Sequence, residues 1–237
     1  DIGNVYYFKF EPLTWRVLDP SEGYVMCNKI IDSQAYQNFI YYNGSEYYNS
    51  KGCANYASDW VTSSLRQWLN NSFYSTAFSV EEKEQISTSH FENKSTGSSI
   101  YDSADTHDKI FPISYHDAIN SKHGFSSDGT ADDMARQMES TDYAKCQGLY
   151  VSSSYGGTSW WWLRSALYSG YTTAIDCFGG ANYGKDVYAT NNGVVPAFKF
   201  NPKSTIPEDE TFKMVNNEVA MKCDFEYTDA FFEQSSY

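Results

Sequence analysis

Two apolar blocks constrain this chain more than anything else in it: Trp160-Trp161-Trp162-Leu163-Arg164-Ser165, and Asn192-Gly193-Val194-Val195-Pro196-Ala197-Phe198. Short, aromatic or β-branched runs bounded by turn residues suit strands that are buried on both faces. The stretch from Tyr150 to Gly193 carries the first block and leads to the second. Half of its 44 residues are Tyr, Ser, Gly or Asn, and only Arg164, Asp176, Lys185 and Asp186 are charged. A buried frame carrying residue types suited to binding predicts a recognition surface on a stiff scaffold.

The remaining signals are those of a mixed domain. Val5 to Phe10, Thr14 to Leu18 and Tyr24 to Cys27 read as strands, with turn chemistry at Asp19-Pro20-Ser21-Glu22-Gly23. A loop from about Gln34 to Ala57 is long for a compact domain and is a candidate functional segment in its own right. A helix is predicted from Asp59 or Thr62 to Phe73, with Leu65, Trp68, Leu69 and Phe73 on one face and Ser63, Arg66, Gln67 and Asn70 on the other. Ser79-Val80-Glu81-Glu82 is a capping box opening a second helix to about Ile86, and Ser114 with Asp117 can cap a further turn. Lys109 to Ser114 reads as an edge strand because Pro112 has no donor. Asp128 to Gln147 reads as one or two short helices. Strands are predicted at Trp160–Arg164, Thr173–Phe178, Asp186–Thr190 and Gly193–Phe200, paired antiparallel, with another hairpin between Thr211 and Phe225.

Charge and composition exclude several classes. A net charge of −13 repels nucleic acid and anionic lipid, and no basic cluster offsets it. No run of 18 apolar residues is present, so no membrane-inserted helix is expected. Asp1 opens neither a basic nor an apolar leader region, so the sequence is expected to begin after any export signal. Cys27, Cys53, Cys146, Cys177 and Cys223 lack the paired spacing of zinc or redox motifs.

The candidate ligand-binding residues are Tyr155, Tyr168, Tyr171, Asp176, Phe178, Asn182, Tyr183, Tyr188 and Asn191. Tyr gives large contact area at small rotamer entropy, and Asn, Ser and Gly give adaptable hydrogen bonds. Asp176 and Phe178 alternate with Ile175 and Cys177 and are expected to point outward. Trp161, Leu163, Val194 and Phe198 belong in the core. The competing reading is a set of ordinary hairpin turns with Tyr on half-buried faces.

Catalytic patterns are missing. Tyr155-Gly156-Gly157-Thr158-Ser159 lacks nucleophile-elbow spacing, and His90, His107, His116 and His123 form no zinc pattern. Tyr101 to Asp108, and Asp128 with Asp132-Asp133, gather oxygens that calcium would suit, though without the calcium-loop grammar. Solvated acidic loops are the simpler account.

Glu11-Pro12-Leu13-Thr14-Trp15-Arg16-Val17-Leu18, Ser63-Ser64-Leu65-Arg66-Gln67-Trp68-Leu69-Asn70, Ala77-Phe78-Ser79, Asp108-Lys109-Ile110-Phe111, Tyr143-Ala144-Lys145, Trp161-Trp162-Leu163-Arg164-Ser165 and Gly193-Val194-Val195-Pro196-Ala197 occur in an order that resembles bacterial and phage domains with "SLR-WLN", "WWLRS" and "GVRPA" signatures. The resemblance runs from about residue 5 to 200, with Val195 where those domains usually carry Arg. More distantly it is similar to the C-type-lectin-like fold of formylglycine-generating enzymes and of the variable proteins of diversity-generating retroelements. That likeness implies an α+β domain over residues 1–200, with two main helices on a twisted antiparallel sheet and a long loop-rich region, and residues 201–237 as a C-terminal extension. It also implies a secreted or surface-displayed bacterial domain that binds a protein or carbohydrate without catalysis, with a segment open to diversification. The alternatives are an enzyme of the sulfatase-modifying type, although Cys146 and Cys177 do not match the context of its cysteine pair, and a purely structural module.

Overall fold

The computed structural model describes residues 7–8, 12–51, 55–154, 156–181, 183–201, 212–215 and 218–221. The fold is mixed α+β. Its strands are β1 (Thr14–Asp19), β2 (Tyr24–Cys27), β3 (Asp32–Ser33), β4 (Tyr41–Tyr42), β5 (Tyr47–Tyr48), β6 (Ile86–Ser87), β7 (Ser89–Phe91), β8 (Thr106–Asp108), β9 (Trp161–Tyr168), β10 (Tyr171–Ile175), β11 (Tyr183–Asp186), β12 (Gly193–Val194), β13 (Ala197–Phe200), β14 (Phe212–Val215) and β15 (Glu218–Met221). One sheet runs β14-β15-β1-β2-β13-β6 and a second runs β11-β10-β9-β12-β3, with small β4-β5 and β7-β8 ribbons beside them. The pairing is antiparallel except between β9 and β12, which are parallel. The segment read as Val5–Phe10 lies almost wholly outside the described residues.

Local chemistry explains the first hairpin. The Asp19 carboxylate accepts from the Ser21 amide at 2.9 Å and the Ser21 hydroxyl at 2.6 Å, closing the turn between β1 and β2. Gly23 follows at φ 58°, where a Cβ would lie 2.2 Å from the Phe200 carbonyl oxygen. Only glycine lets β13 pack so close.

The block expected as one strand from Gly193 to Phe200 is two. Pro196 has no N–H to keep a ladder going, and at Val195-Pro196 the chain leaves the second sheet and enters the first. The Pro196 carbonyl caps the junction by accepting from the Cys27 amide at 2.9 Å. Between the sheets lies one continuous core that includes Trp15, Phe78, Phe198, Trp161, Trp162 and Val195.

The predicted first helix begins with a 3₁₀ turn, Trp60–Thr62, continues as α1 (Ser64–Trp68) and a π-helical turn (Leu69–Phe73), and ends as α2 (Tyr74–Ala77). Each residue of its signature has a physical task. Ser63 accepts from the Arg66 amide and donates to the Tyr36 carbonyl, so it is buried rather than on the solvent face. Leu65, Leu69 and Phe73 enter the core, and Phe73, Phe78, Phe198 and Trp15 form a chain of ring contacts onto the first sheet. Arg66 reaches Asp108 at 2.6 Å, and Asn70 clamps the backbone of Lys109 and Ile110 with both ends of its amide. That clamp sits at the π turn, a common place for a side chain to hold a neighbouring strand. The capping boxes at Ser79–Glu82 and Ser114–Asp117 open α3 (Val80–Gln85) and α4 (Tyr115–Ala118) as read.

Two expected strands are not formed: Asp186–Thr190 is mostly turn, because β11 runs from Tyr183 and ends at Asp186, and Lys109–Ser114 is not a strand. Lys109 to Ser114 makes only a single bridge, Phe111 to Ala197, and buries Ile110, Phe111 and Ile113. Asp128 to Gln147 holds one short helix, α5 (Asp142–Cys146), within the one or two expected. Before it the chain is shaped by Arg136, fully buried, whose guanidinium donates to the carbonyls of Gly179, Ala118, Ser126, Asp128 and Ala131. Those of Ser126, Asp128 and Ala131 turn toward the arginine instead of into a helical ladder.

Arg136→Met therefore leaves several buried carbonyls unpaired, and a loss of about 3–5 kcal/mol in urea unfolding is expected, against about 1 kcal/mol for Ser79→Ala, which removes one cap. Asp32 supplies a second test. Burial pushes its carboxyl from 3.8 up to about 6, against the bonds it accepts from the Ser33 amide and Gln34. A raised folded-state pKa means stability is greatest below the unfolded value and declines as pH rises through about 6. Asp32→Asn should flatten the melting temperature between about pH 4 and 7 and raise it at neutral pH.

Candidate functional site

The candidate site is assembled from three parts of the chain. β4 and β5 pair Tyr41 with Tyr48 and Tyr42 with Tyr47. Their turn is closed by the Asn43 side chain, which accepts from the amides of Ser45 and Glu46. This ribbon docks on the β9–β10 turn through backbone: the Tyr47 amide donates to Ser169 Oγ at 3.1 Å and the Ser58 amide to the Ser169 carbonyl at 3.0 Å. Gly170 lies directly under the Tyr47 ring, and a Cβ there would be 2.6 Å from it.

Docking brings the tyrosines together. Tyr42 meets Tyr47 at 4.7 Å between ring centroids, and Tyr47 meets Tyr188 at 6.5 Å. Tyr48 stacks on Tyr56 at 5.3 Å, Tyr56 meets Tyr101 edge-on at 5.0 Å, and Tyr101 meets Tyr168 edge-on at 6.1 Å. Tyr168 is the backbone partner of Tyr171 across the β9–β10 turn, so the two side chains leave the same face. Tyr42 is 53 % exposed, Tyr168 52 %, Tyr188 44 % and Tyr171 36 %, while Tyr47, Tyr48, Tyr56 and Tyr101 are half-buried beneath them. Edge-on and stacked ring pairs contribute about 0.5–1.5 kcal/mol each, so the outer rings rest on an ordered layer.

Two carboxylates serve the belt. Tyr101 donates to Glu46 at 3.2 Å. Its hydroxyl titrates above the ordinary range because of desolvation and then the Glu46 charge. Tyr171 is raised chiefly by its hydrogen bond to Asp186, and Tyr188 chiefly by the Asp186 charge. The phenols of Tyr101, Tyr171 and Tyr188 are therefore neutral at physiological pH, and the surface offers O–H donors, ring faces and two carboxylate acceptors.

The structure divides the residues singled out from the sequence. Tyr168, Tyr171 and Tyr188 share the belt. Tyr183 does not: it contacts Trp160 at 5.6 Å, as does Lys185 through its ammonium at 4.9 Å, on the face of β11 opposite Asp186. Asn191 is exposed beside Tyr150, whose amide its carbonyl accepts at 3.1 Å. Tyr155 and Asn182 lie outside the described residues.

Asp176, expected to face outward, is buried at 3 % exposure, and Phe178 is half-buried. The strand ends at Ile175, so alternation no longer governs the next residues. Asp176 instead accepts from the amides of Phe178 and Gly180, folding the turn that delivers the Gly179 carbonyl to Arg136. The oxygen clusters considered for calcium are dispersed in the same way. Asp108 binds Trp60, Arg66 and Thr106, Asp102 the Ser95 amide, and Asp133 the Ser126 and Ala135 amides. Among the described residues no three His, Cys, Asp or Glu side chains converge for a metal.

Residues 25–202 match the model of a family described as a domain of unknown function, DUF6273. The chain belongs to that family. No curated protein and no solved structure matches it. The DUF6273 span contains every segment of the belt. Sequence reading missed Tyr42, Tyr47, Tyr48, Tyr56 and Tyr101 as partners of the later tyrosines, although five Tyr between residues 41 and 56 gave the signal.

Gly170→Ala should push Tyr47 off its seat, lower the melting temperature by an amount equivalent to about 1–3 kcal/mol, and weaken the near-ultraviolet tyrosine dichroism that reports ring packing.

Proposed function

We propose that this domain is a non-catalytic recognition module, secreted or displayed on a bacterial surface, that binds a protein or glycan through the tyrosine belt. One observation carries the reading: tyrosines from three separate segments meet in two chains of ring contacts, Tyr42–Tyr47–Tyr188 and Tyr48–Tyr56–Tyr101–Tyr168, with outer rings one-third to one-half exposed on half-buried ones. Rings held this way lose little entropy on binding, and a patch of this kind marks an interaction site. Flanking carboxylates at Glu46 and Asp186 favour partners rich in O–H or N–H donors. The lectin-like likeness noted in the sequence points the same way, and a diversified segment would be detected as a near-copy of the gene differing only at adenines.

The enzyme alternative has less support. Of the two cysteines weighed for it, Cys146 and Cys177, burial raises the Cys177 thiol, which is therefore not poised as a thiolate. Among the described residues no helix is long and apolar enough to cross a membrane.

Replacing Tyr42, Tyr168, Tyr171 and Tyr188 together by Ala tests the surface. Against a ligand found on glycan and protein arrays, binding should fall at least about 100-fold, the scale of a few lost aromatic anchors, while the far-ultraviolet dichroism stays unchanged. Tyr183→Ala, on the other face of β11, should leave affinity within about twofold. The reverse pattern would assign recognition to the Trp160–Tyr183 face.

A further inference from the structure

The β7–β8 ribbon has one face tied into the protein and one that is not, because side chains alternate along each strand. On the inner face Ser89, Thr106 and Asp108 are buried, and Phe91 meets Phe111 at 4.4 Å between ring centroids. The Asp108 carboxylate there accepts from the Trp60 indole at 2.9 Å and from Arg66 at 2.6 Å. On the outer face stand His90 and His107, both exposed, with Asp105 two residues before His107 and exposed as well. The packing of the fold rests on the first set and makes no use of the second.

The outer residues are nevertheless arranged. His90 and His107 are direct partners across the ribbon, and their rings lie 5.0 Å apart between centroids at an angle of 41°. His90 Nε2 is 2.9 Å from Asp105 Oδ2. An ionised carboxylate can only accept, so Nε2 carries the hydrogen, and in the neutral ring the open lone pair is then on Nδ1. A carboxylate that takes one N–H of an imidazole and leaves the other nitrogen open is the partner that metal-binding histidines use. The His107 imidazole makes no hydrogen bond among the described residues, so nothing prevents it from turning toward its neighbour.

The donor set decides which ion fits. Imidazole nitrogen suits copper, nickel and zinc, whereas calcium and magnesium need oxygen ligands. Among the described residues no three His, Cys, Asp or Glu side chains are placed to enclose an ion, so two imidazoles bind it and water fills the other positions. The net charge of −13 draws dications toward the protein. Because the ribbon is fixed through its inner face, its two strands lose little freedom when an ion joins them.

We propose that His90 and His107 form a two-imidazole site for a transition-metal dication of the copper and zinc class, with His90 binding through Nδ1 and Asp105 as its positioning residue. The sequence shows no such pattern because the two histidines are brought together only by strand pairing. The site does not rest on the reading of the tyrosine belt.

The test is calorimetric titration of the tag-free protein with CuCl₂, ZnCl₂ and CaCl₂, together with long-range imidazole NMR of the ¹⁵N-labelled protein in zinc. One equivalent of copper and of zinc should bind, copper at least about tenfold tighter, with no binding of calcium. Zinc should shift His90 Nδ1 while Nε2 keeps its hydrogen. His90→Gln and His107→Gln should each weaken zinc binding at least about tenfold. Asp105→Asn should weaken it severalfold and release the His90 ring from its single tautomer, while His116→Gln should change nothing. All four side chains are exposed, so the melting temperature without metal should match that of the wild type. No heat and no imidazole shift at about 1 mM zinc would overturn the proposal. Zinc binding that survives His107→Gln unchanged, or calcium binding as tight as zinc, would overturn it too. The NMR titration uses the unaltered protein, so the outcome does not hinge on any variant.

Discussion

Everything else in this structure depends on β9 being sealed on both faces. Trp161 through Ala166 are all buried, and the two adjacent indoles point in opposite directions. Each indole N–H then needs a carbonyl. Trp161 finds that of Arg136 at 3.1 Å and Trp162 that of Gln34 at 2.8 Å. These two bonds tie the arginine-centred loop and the start of the long tyrosine loop to the same strand. The β9–β10 turn that emerges from this frame is consequently a fixed platform, and the β4–β5 ribbon can dock on it in one register.

Polar groups organise the rest by the same rule, that a buried donor or acceptor must be matched. Arg136 gathers carbonyls from chain segments far apart in sequence and so replaces a helix with a shaped loop. Asp108 gathers Trp60, Arg66 and Thr106 and pins the first helical run to β8. Asp176 gathers amides and shapes the turn after β10.

Much of the local structure was legible in the sequence. Ser79 and Glu82, and Ser114 and Asp117, specify their capping boxes within four residues. The stripe of Leu65, Leu69 and Phe73 specifies a buried helix face, and the apolar blocks specify Trp161, Leu163, Val194 and Phe198 as core. Where reading failed, a buried charged side chain had gathered backbone groups around itself. Alternation predicts Asp176 outward, but the strand stops one residue earlier and the carboxylate turns in to hold its own loop. Helical composition around Met134 and Met138 is overridden by a single guanidinium from the same segment.

The site divides along the same line. The sequence by itself determined that this chain is rich in tyrosine at Tyr41 to Tyr56 and again at Tyr150 to Tyr188, and that a stiff apolar frame brackets the second cluster. It did not determine which rings share a surface, because alternation separates Tyr183 from Asp186 only when both lie in one strand, and β11 runs Tyr183–Asp186 where the sequence suggested Asp186–Thr190. Tertiary structure decided that Tyr42, Tyr47 and Tyr188 meet, and Tyr101 and Tyr168, while Tyr183 stands apart on Trp160. The reason is that ring contacts act over a few ångströms, and only the docking of one distant segment on another, here through Ser169 and the space left by Gly170, brings those rings within reach.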